Sequence, residues 1–486
     1  MSLGQRAVRG TVIVLASSYT NMAVGFLTTI LLTRLLSPDD FGLMALATFF
    51  FSLLDLRNKM GLDFAFVHRQ PTTDELVATH LGLQCALSLG TVVLVLAASP
   101  LLVMAGYSPR LPWIMAALAG IGLIEAAGTT PRLVLEKELA FARSTVVITG
   151  SLIAANALAV FLAWRGAGLV SLLVQSGANI LFSTLGLWYM SRLRLRRAFR
   201  RQLAGWMLRF GLAVAVGSVA AVVLLQYDYF LVGTFVGATA LGYYERAYKI
   251  AVWPTGLVTH VVSRTAFPTY AKVQDDRGRL SQAFNMTLWL ITMVALPIAM
   301  AMFVTAPDFV RVLFGERWLP SAQLLRLLVA VAMLRPLLDD TGALFNAVGQ
   351  PRRISTVLVV QAVTLVLLGT PMTWRWGVMG TAVAVGIAFL AGIILDYWYV
   401  RQVVDLSLTQ AFGVPALGLA AGLFVWWGGR QFLGTAGWPP LARLIVEGGM
   451  SLAAFYMVAG MLQRELIRER LRLVWSLLWG RTAKGL

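Results

Sequence analysis

The sequence predicts an all-α polytopic membrane protein with about fourteen transmembrane helices. The chain of 486 residues is 58% hydrophobic and only 13% charged, and its mean hydropathy is +0.77. A composition this apolar is not typical of a soluble protein. Most charged residues fall between apolar runs that can each cross a bilayer, which takes roughly 20 residues. The loops are short, so they leave almost no room for a soluble domain.

The apolar runs place the helices in order along the chain. The first run follows a basic N-terminus with Arg6 and Arg9. It is about twice as long as a signal-peptide core and lacks a small-x-small cleavage site, so we expect a spanning helix. The predicted spans are 11–36, 41–66, 79–105, 113–135, 144–164, 168–190, 211–236, 241–263, 282–305, 322–345, 354–373, 377–400, 411–429 and 441–463.

Basic residues in the loops predict the orientation. With the N-terminus in the cytoplasm, Lys and Arg are concentrated on the cytoplasmic side, as the positive-inside rule requires. Both termini are then cytoplasmic. The Arg-rich stretch 192–209 is a topology determinant or, in addition, a contact for anionic lipid head groups. The opposite loops hold few basic residues, among them Arg110, Arg165, Arg317, Arg375 and Arg430.

A repeat divides the chain. The segment Leu31–Ala47 aligns with Leu231–Ala247, so that Gly42 matches Gly242. Each segment follows a helix that starts in the cytoplasm, so the repeat is parallel, an arrangement that transporters use for two rocking bundles. We therefore expect six-helix bundles at 1–200 and 201–405, and two extra helices with a basic tail at 406–486. The extra pair either supports a lipid groove or stabilises the bundle.

Composition and spacing argue against several function classes. The net charge of +18 lies between apolar runs rather than in one patch, so no nucleic-acid partner is expected. Cys85 is the single cysteine, and the three histidines lack the spacing that places two imidazoles on one helix face. We expect no metal and no cofactor. The sequence also lacks a P-loop, so this chain does not use ATP directly.

Several segments in a common order resemble Wzx-like oligosaccharide flippases of the multidrug, oligosaccharidyl-lipid and polysaccharide (MOP) exporter superfamily. The resemblance covers nearly the whole chain and looks closest to the branch that exports exopolysaccharide repeat units, such as the colanic acid type. The run DLRNKMGLDFAF at Asp55–Phe66 is more charged than the family pattern. The segments that carry the resemblance are Leu35–Ala47, Asp228–Ile250, Pro254–Asp276, Leu313–Ala330 and Asn346–Arg353.

The resemblance implies a MATE-like fold of two bundles around a cationic cavity, in the inner membrane of a bacterial cell. It implies a transporter rather than an enzyme. The implied substrate is an undecaprenyl-diphosphate-linked oligosaccharide, moved from the cytoplasmic to the periplasmic leaflet by alternating access for surface polysaccharide synthesis. Membrane lipids, a polysaccharide polymerase and export machinery are the implied partners.

Charged residues inside apolar helices are the candidate site residues, since a charge that faces lipid at mid-membrane costs at least about 2.5–3.5 kcal/mol. In the second span, Asp55, Lys59 and Asp63 are spaced four apart and either neutralise one another or leave Lys59 for the substrate. Arg57 lies off that stripe with no acidic residue three or four positions away. It is therefore a candidate for binding the diphosphate.

The hairpin of the seventh and eighth spans combines charges with tyrosines. Two basic residues there are candidates for the diphosphate, the tyrosines for sugar, and Asp228 for charge balance or a coupling proton. In the alternative reading, Glu245 and Lys249 are an i,i+4 pair and the tyrosines mark the membrane interface. The candidates are Arg246 and Lys249 for phosphate, and Tyr227, Tyr243, Tyr244 and Tyr248 for sugar.

The tenth span contains Arg335 before Pro336, with Asp339 at i+4. The proline predicts a bend that a rocking bundle could use. Arg335 is either a further phosphate ligand, with Asp339 for coupling or charge balance, or the two residues form a simple salt bridge.

Two competing functions follow from the same residues. A small-molecule or drug antiporter of the same superfamily would share the fold, but its site should favour acidic residues. A polytopic glycan polymerase or glycosyltransferase should carry a large external loop with catalytic residues, and no loop here is that long. We expect no catalytic residues.

Overall fold

The computed structural model describes residues 3–138, 140–193 and 198–464. These residues form α-helices, short 3-10 and π turns and no β-strand, which confirms the all-α prediction. Nine helices of this described part are long and apolar enough to cross a membrane. The chain forms two compact units, Met1–Glu245 and Arg246–Leu486.

The first unit contains the N-terminal helices, and two of them begin at clear caps. The Ser37 hydroxyl accepts a hydrogen bond from the Asp40 amide while the Asp40 carboxylate accepts one from the Ser37 amide, a capping box that starts α2. Thr73 is the N-cap of α5, where its side chain accepts one backbone hydrogen bond. The helices are α1 Leu3–Leu35, α2 Pro38–Leu54, α3 Leu56–Lys59, α4 Leu62–His68, α5 Asp74–Met104, α6 Arg110–Lys137, α7 Phe141–Trp164, α8 Val170–Ser191, α9 Arg201–Phe235 and the start of α10 Ala238–Val273.

The second unit begins within α10 and contains longer helices. Asp276 caps α11 by accepting a hydrogen bond from the Arg279 amide at 3.0 Å. The π turn Thr409–Gly413 leads directly into the next helix. The helices are α11 Arg277–Phe314, α12 Pro320–Ala332, α13 Arg335–Ala347, α14 Pro351–Val400, α15 Val414–Phe432 and α16 Pro440–Leu462.

The second predicted span is not one helix, which corrects the expectation for 41–66. The α-helix ends at Leu54, and Gly61 takes a left-handed conformation with a φ of 54° between α3 and α4. The Asp55 side chain accepts a hydrogen bond from the Arg57 amide, and the Thr91 hydroxyl accepts one from the Leu56 amide at 3.0 Å. Short polar side chains compete with the helical ladder in this way. The charges at positions 55, 59 and 63 therefore do not share a helical face.

Two other interruptions agree with the sequence. The tenth predicted span bends between α12 and α13, and Pro336 stands in the first turn of α13, which confirms the predicted bend. In α14 the chain reverses at Gly377, whose φ of 59° is left-handed. The Thr373 hydroxyl lies 2.7 Å from the Thr381 hydroxyl, and Arg353 donates to the Tyr399 carbonyl at 2.9 Å. The arms 351–376 and 378–400 are thus antiparallel and correspond to two predicted spans.

The repeated glycines meet in the first unit. A Cβ on Gly42 of α2 would overlap the carbonyl of Ala238, and a Cβ on Gly242 of α10 would overlap the carbonyl of Pro38. Each glycine thus faces the first residue of the other helix. Gly42 and Gly242 are 200 residues apart, and so are Pro38 and Ala238, so the repeat relates one contact to the other. Close backbone approach of this kind is possible only where no side chain intervenes.

Each unit has its own apolar core. In the first unit, α4 is buried among α5, α6 and α9, with Phe66 and Met207 fully buried. In the second unit, Trp289, Met293 and Met300 of α11 pack against Phe455 and Ala459 of α16. The last helix is therefore part of the core of the second unit.

Candidate functional site

Arg57 lies at the break after α2 and is buried, with a side chain 4% exposed. Its Nη2 donates to the Glu125 carboxylate of α6 at 2.5 Å, and its Nη1 donates to the Thr129 hydroxyl at 3.4 Å. Asp55 is a second acid, 3.9 Å away. Arg57 therefore has an acidic partner, which helical spacing could not reveal because the partner comes from another helix. Glu125 is 43% exposed, so the pair reaches an accessible surface.

Asp63 of α4 forms a polar cluster with α5 and α6. It accepts a hydrogen bond from Gln84 at 2.7 Å and lies 3.3 Å from the Arg132 guanidinium. His80 is fully buried 3.6 Å from Asp63, and its Nδ1 lies 2.9 Å from the Thr130 hydroxyl. These contacts hold α4 against its neighbours. Lys59 ends α3, but its side chain lies outside the described part of the structure.

Asp228 and Tyr244 form a buried pair in the first unit. The Tyr244 hydroxyl donates to Asp228 Oδ2 at 2.8 Å, and the Tyr229 amide donates to Asp228 Oδ1 at 3.0 Å. Tyr244 is fully buried, and Asp228 is 4% exposed. This tyrosine therefore orients a carboxylate, and a direct contact with sugar would require it to leave that carboxylate.

The remaining hairpin candidates differ in burial. Arg246 is 5% exposed, whereas Lys249 is exposed to solvent or lipid. Tyr227, Tyr243 and Tyr248 are half-buried, and the Tyr227 ring lies 5.7 Å from that of Phe230. The three tyrosines keep part of their surface available for a ligand.

Arg335 and Asp339 stand one turn apart on α13, and both are half-buried. Among the residues that the structure describes, Arg335 forms no salt bridge, so the simple pair with Asp339 is not found. The neighbouring Asp340 is fully buried and accepts a hydrogen bond from the Tyr270 hydroxyl at 2.8 Å. Asp396 of α14 is also buried and accepts one from the Thr341 hydroxyl.

A further buried ion pair ties α16 to α11. Arg443 donates to Asp308 at 2.5 Å, and the two side chains are 10% and 7% exposed. Nearby, Glu447 accepts hydrogen bonds from Trp426 at 2.8 Å and from Thr435 at 2.7 Å. These contacts favour the stabilising role for the last two helices.

The sequence did not mark as candidates four acids that the structure places in hydrogen bonds or ion pairs with buried side chains. Glu125 and Asp396 are single carboxylates inside apolar runs, the same signal that marked Asp228, whereas Asp340 stands beside Asp339. Among the described residues, no group of three His, Cys, Asp or Glu side chains could hold a metal ion. The four acids are Glu125, Asp308, Asp340 and Asp396.

The chain matches a known protein family over more than half of its length. The family model described as "Polysaccharide biosynthesis protein" matches residues 31–323. The lipopolysaccharide biosynthesis protein WzxC of Escherichia coli is 24% identical over 349 residues, 71% of each chain.

Two solved structures share the fold. The lipid II flippase MurJ in an inward closed conformation superposes with a TM-score of 0.77 and 13% identity, over 94% of this chain and 100% of that one. An inward-facing multidrug resistance MATE family transporter of the MOP superfamily gives 0.65 and 15% identity, over 81% and 98% of the two chains. These likenesses confirm the MATE-like fold.

Proposed function

The chain belongs to the polysaccharide biosynthesis protein family, and from this premise we propose that it is a flippase for lipid-linked oligosaccharides. It moves undecaprenyl-diphosphate-linked repeat units from the cytoplasmic to the periplasmic leaflet of a bacterial inner membrane. The main support is its similarity to WzxC over 71% of each chain. It is a transporter rather than an enzyme, and it supplies exopolysaccharide or another surface polysaccharide.

The chemistry of the substrate fits the buried cations. A diphosphate needs fixed positive charge to leave water, and guanidinium groups bind phosphate oxygens in bidentate geometry. In the first unit, Arg57 is held beside an accessible carboxylate. In the second unit, Arg246 is buried and Arg335 is half-buried. We assign these three residues, with Lys59 and Lys249, to the diphosphate.

Sugars require hydrogen-bonding groups and aromatic faces. Tyr227, Tyr243 and Tyr248 offer partly exposed rings and are assigned to the oligosaccharide. Tyr244 belongs to the same set, and its contact with sugar requires its hydroxyl to leave Asp228. Asp228 and Asp339 balance the positive charge or carry a coupling ion.

The proposed orientation places both termini in the cytoplasm. It follows from the excess of basic residues in the loops on that side, which include Arg200, Arg201, Arg277 and Arg279. Membrane lipids surround the helices, and a polysaccharide polymerase and export machinery take the flipped product.

Reconstitution tests this function. Purified protein is placed in vesicles that contain lipid-linked repeat units, and an impermeant lectin reports the fraction exposed outside. We expect the protein to equilibrate the two leaflets, whereas protein-free vesicles do not. Absence of flipping, together with drug resistance on overexpression, would instead identify an antiporter. Detectable transferase activity would identify an enzyme.

A role of Asp228 in coupling has its own test in the same vesicles. Asp228→Asn keeps the shape and hydrogen-bond acceptor of the side chain but removes its charge. If Asp228 carries a coupling proton, flipping by the wild type responds to an imposed pH gradient and flipping by the variant does not. Equal responses would remove Asp228 from coupling.

A further inference from the structure

Two buried carboxylates lie close together in the second unit, on different helices. Asp340 of α13 is 0% exposed, and Asp396 of α14 is 2% exposed. Tyr270 of α10 donates to Asp340 Oδ1 at 2.8 Å, and Thr341 donates to Asp396. Three helices thus build one enclosed polar site inside a membrane protein.

Two polar atoms at this site have no hydrogen-bond partner. Asp340 Oδ2 and the Tyr397 hydroxyl are both buried, and neither bonds to any residue in the described part of the chain. An unpaired buried polar group costs about 1–3 kcal/mol, and more if it is charged. The free oxygen of Asp340 is therefore a place where an additional atom would be held favourably.

The charges around Asp340 do not neutralise it. The titratable groups that act on it are Tyr270 from α10, Asp339 from α13 and Asp396 from α14, and Tyr397 faces both Asp340 and Asp396. All of these groups are acidic or neutral. Arg353, at the start of α14, instead donates to the Tyr399 carbonyl and to Gln402. Isolated carboxylates buried in this way require either a proton or a bound cation.

A proton fits this site better than a metal ion does. The described residues contain no group of three acidic, His or Cys side chains that could ligate a metal. The site also differs from Asp228, whose two carboxylate oxygens each accept a hydrogen bond. Among the buried side-chain atoms without a hydrogen-bond partner in the described residues, Asp340 Oδ2 is the one carboxylate oxygen.

We infer that Asp340, with Asp396 nearby, is a proton-binding site whose loading and release couple a proton to transport. Protonation forms an O–H bond at Oδ2 with a proton taken from water on one side, and release breaks that bond and returns the proton to water on the other. Asp340 lies just after the bend between α12 and α13, so its protonation can bias that bend. The role in transport rests on the proposed function, whereas proton binding does not.

Infrared spectroscopy tests proton binding without any substrate. Purified full-length protein in lipid is compared between alkaline and acidic buffer, and the carbonyl stretch of protonated carboxyl groups is recorded. Asp340→Asn should remove part of this band, and Asp396→Asn should alter the part of the band that Asp340→Asn leaves. Asp405→Asn is the matched control at a carboxylate 74% exposed that pairs with Arg277, and it should leave the band of the buried acid unchanged. Identical spectra for the wild type and Asp340→Asn would overturn the inference.

A second measurement tests coupling in vesicles that contain lipid-linked repeat units. An imposed pH gradient should accelerate flipping by the wild type and by Asp405→Asn, and Asp340→Asn should lose that acceleration. If Asp340→Asn does not fold, Tyr397→Phe should still change the response, because it removes only a hydroxyl that faces the site. A response to sodium but not to pH would overturn the inference. Absence of flipping by every protein would contradict the proposed function. It would not affect the infrared result on proton binding.

Discussion

Arg57 shows how a single buried cation is kept inside a membrane protein. Its guanidinium is 4% exposed, whereas its partner Glu125 is 43% exposed. Removing one partner from a buried pair leaves an uncompensated charge, so the arginine requires an anion at all times. A diphosphate is such an anion and offers more acceptor oxygens than one carboxylate. On the proposed function, we expect the diphosphate to displace Glu125 as the counter-ion of Arg57.

Replacing Arg57 should reduce export sharply. A hydrogen bond to a charged group contributes about 1.5–3 kcal/mol, and roughly 1.4 kcal/mol corresponds to a tenfold change. We expect Arg57→Gln to lower polymer export by about tenfold or more at equal expression, and Arg57→Lys to retain more activity. The matched control is Arg165→Gln, at an exposed arginine that stacks on Trp164 and Phe161. Full export by Arg57→Gln would remove this residue from the site.

The hydroxyl of Tyr244 should stabilise the first unit. It donates to the buried Asp228, and its loss leaves one oxygen of that carboxylate unpaired. Tyr244→Phe should therefore lower the free energy of unfolding in detergent by about 1–3 kcal/mol. Tyr189→Phe, at a tyrosine 79% exposed, should have little effect. Equal stability of the two variants would show that the hydrogen bond contributes nothing.

Which residues lie inside the membrane could be predicted from the sequence, but their partners could not. A lone charge in an apolar run already marks a functional or paired position, as for Asp228. The pairing of Arg57 with Glu125, or of Asp340 with Tyr270, joins residues 68 and 70 positions apart on different helices. Only the packing of those helices determines such pairs.

At the scale of the element, the contact between α2 and α10 depends on two glycines. Gly42 and Gly242 let each helix start against the backbone of the other. The same repeat that identified these positions in the sequence places them in reciprocal contact. Their spacing predicted a relationship between the segments, whereas the direct contact is visible only in the structure.

A methyl group at either glycine should disrupt this contact. Gly42→Ala and Gly242→Ala each place Cβ against a backbone carbonyl, which cannot rotate away as a side chain can. Overpacking of this kind costs typically about 1–3 kcal/mol, so the melting temperature should fall. Gly120→Ala is the control, because nothing lies within 4 Å of its new Cβ. Unchanged melting of both variants would contradict the close contact.

The buried Asp308–Arg443 pair, which joins α11 and α16, should also stabilise the second unit. Removing one partner of such a pair costs about 3–5 kcal/mol. Asp308→Asn should therefore destabilise the second unit strongly, and Asp308→Leu combined with Arg443→Met should recover most of the loss. A chemical denaturation series on the single and double variants measures this. If the double variant is as unstable as Asp308→Asn, the cost does not come from the unpaired charge.

At the scale of the whole molecule, apolar length and loop charge predicted the helical architecture, because crossing a bilayer requires long runs that satisfy their own backbone. The break after Leu54 was missed, since it depends on a hydrogen bond from Leu56 to Thr91 of α5 and on the left-handed backbone of Gly61, neither of which hydrophobic periodicity records. The bend before α13 was predicted because Pro336 interrupts the helical hydrogen bonding at that point. Where a residue imposes backbone geometry, the sequence is sufficient.

Deletion of the gene in its own host, followed by extraction of undecaprenyl-linked oligosaccharides, tests the flippase function most directly. An impermeant probe applied to membrane vesicles of known orientation reports which face these lipids occupy. We predict complete repeat units trapped on the cytoplasmic face, with surface polymer lost and both restored by the wild-type gene. Normal polymer without a trapped intermediate, or incomplete repeat units, would contradict a flippase.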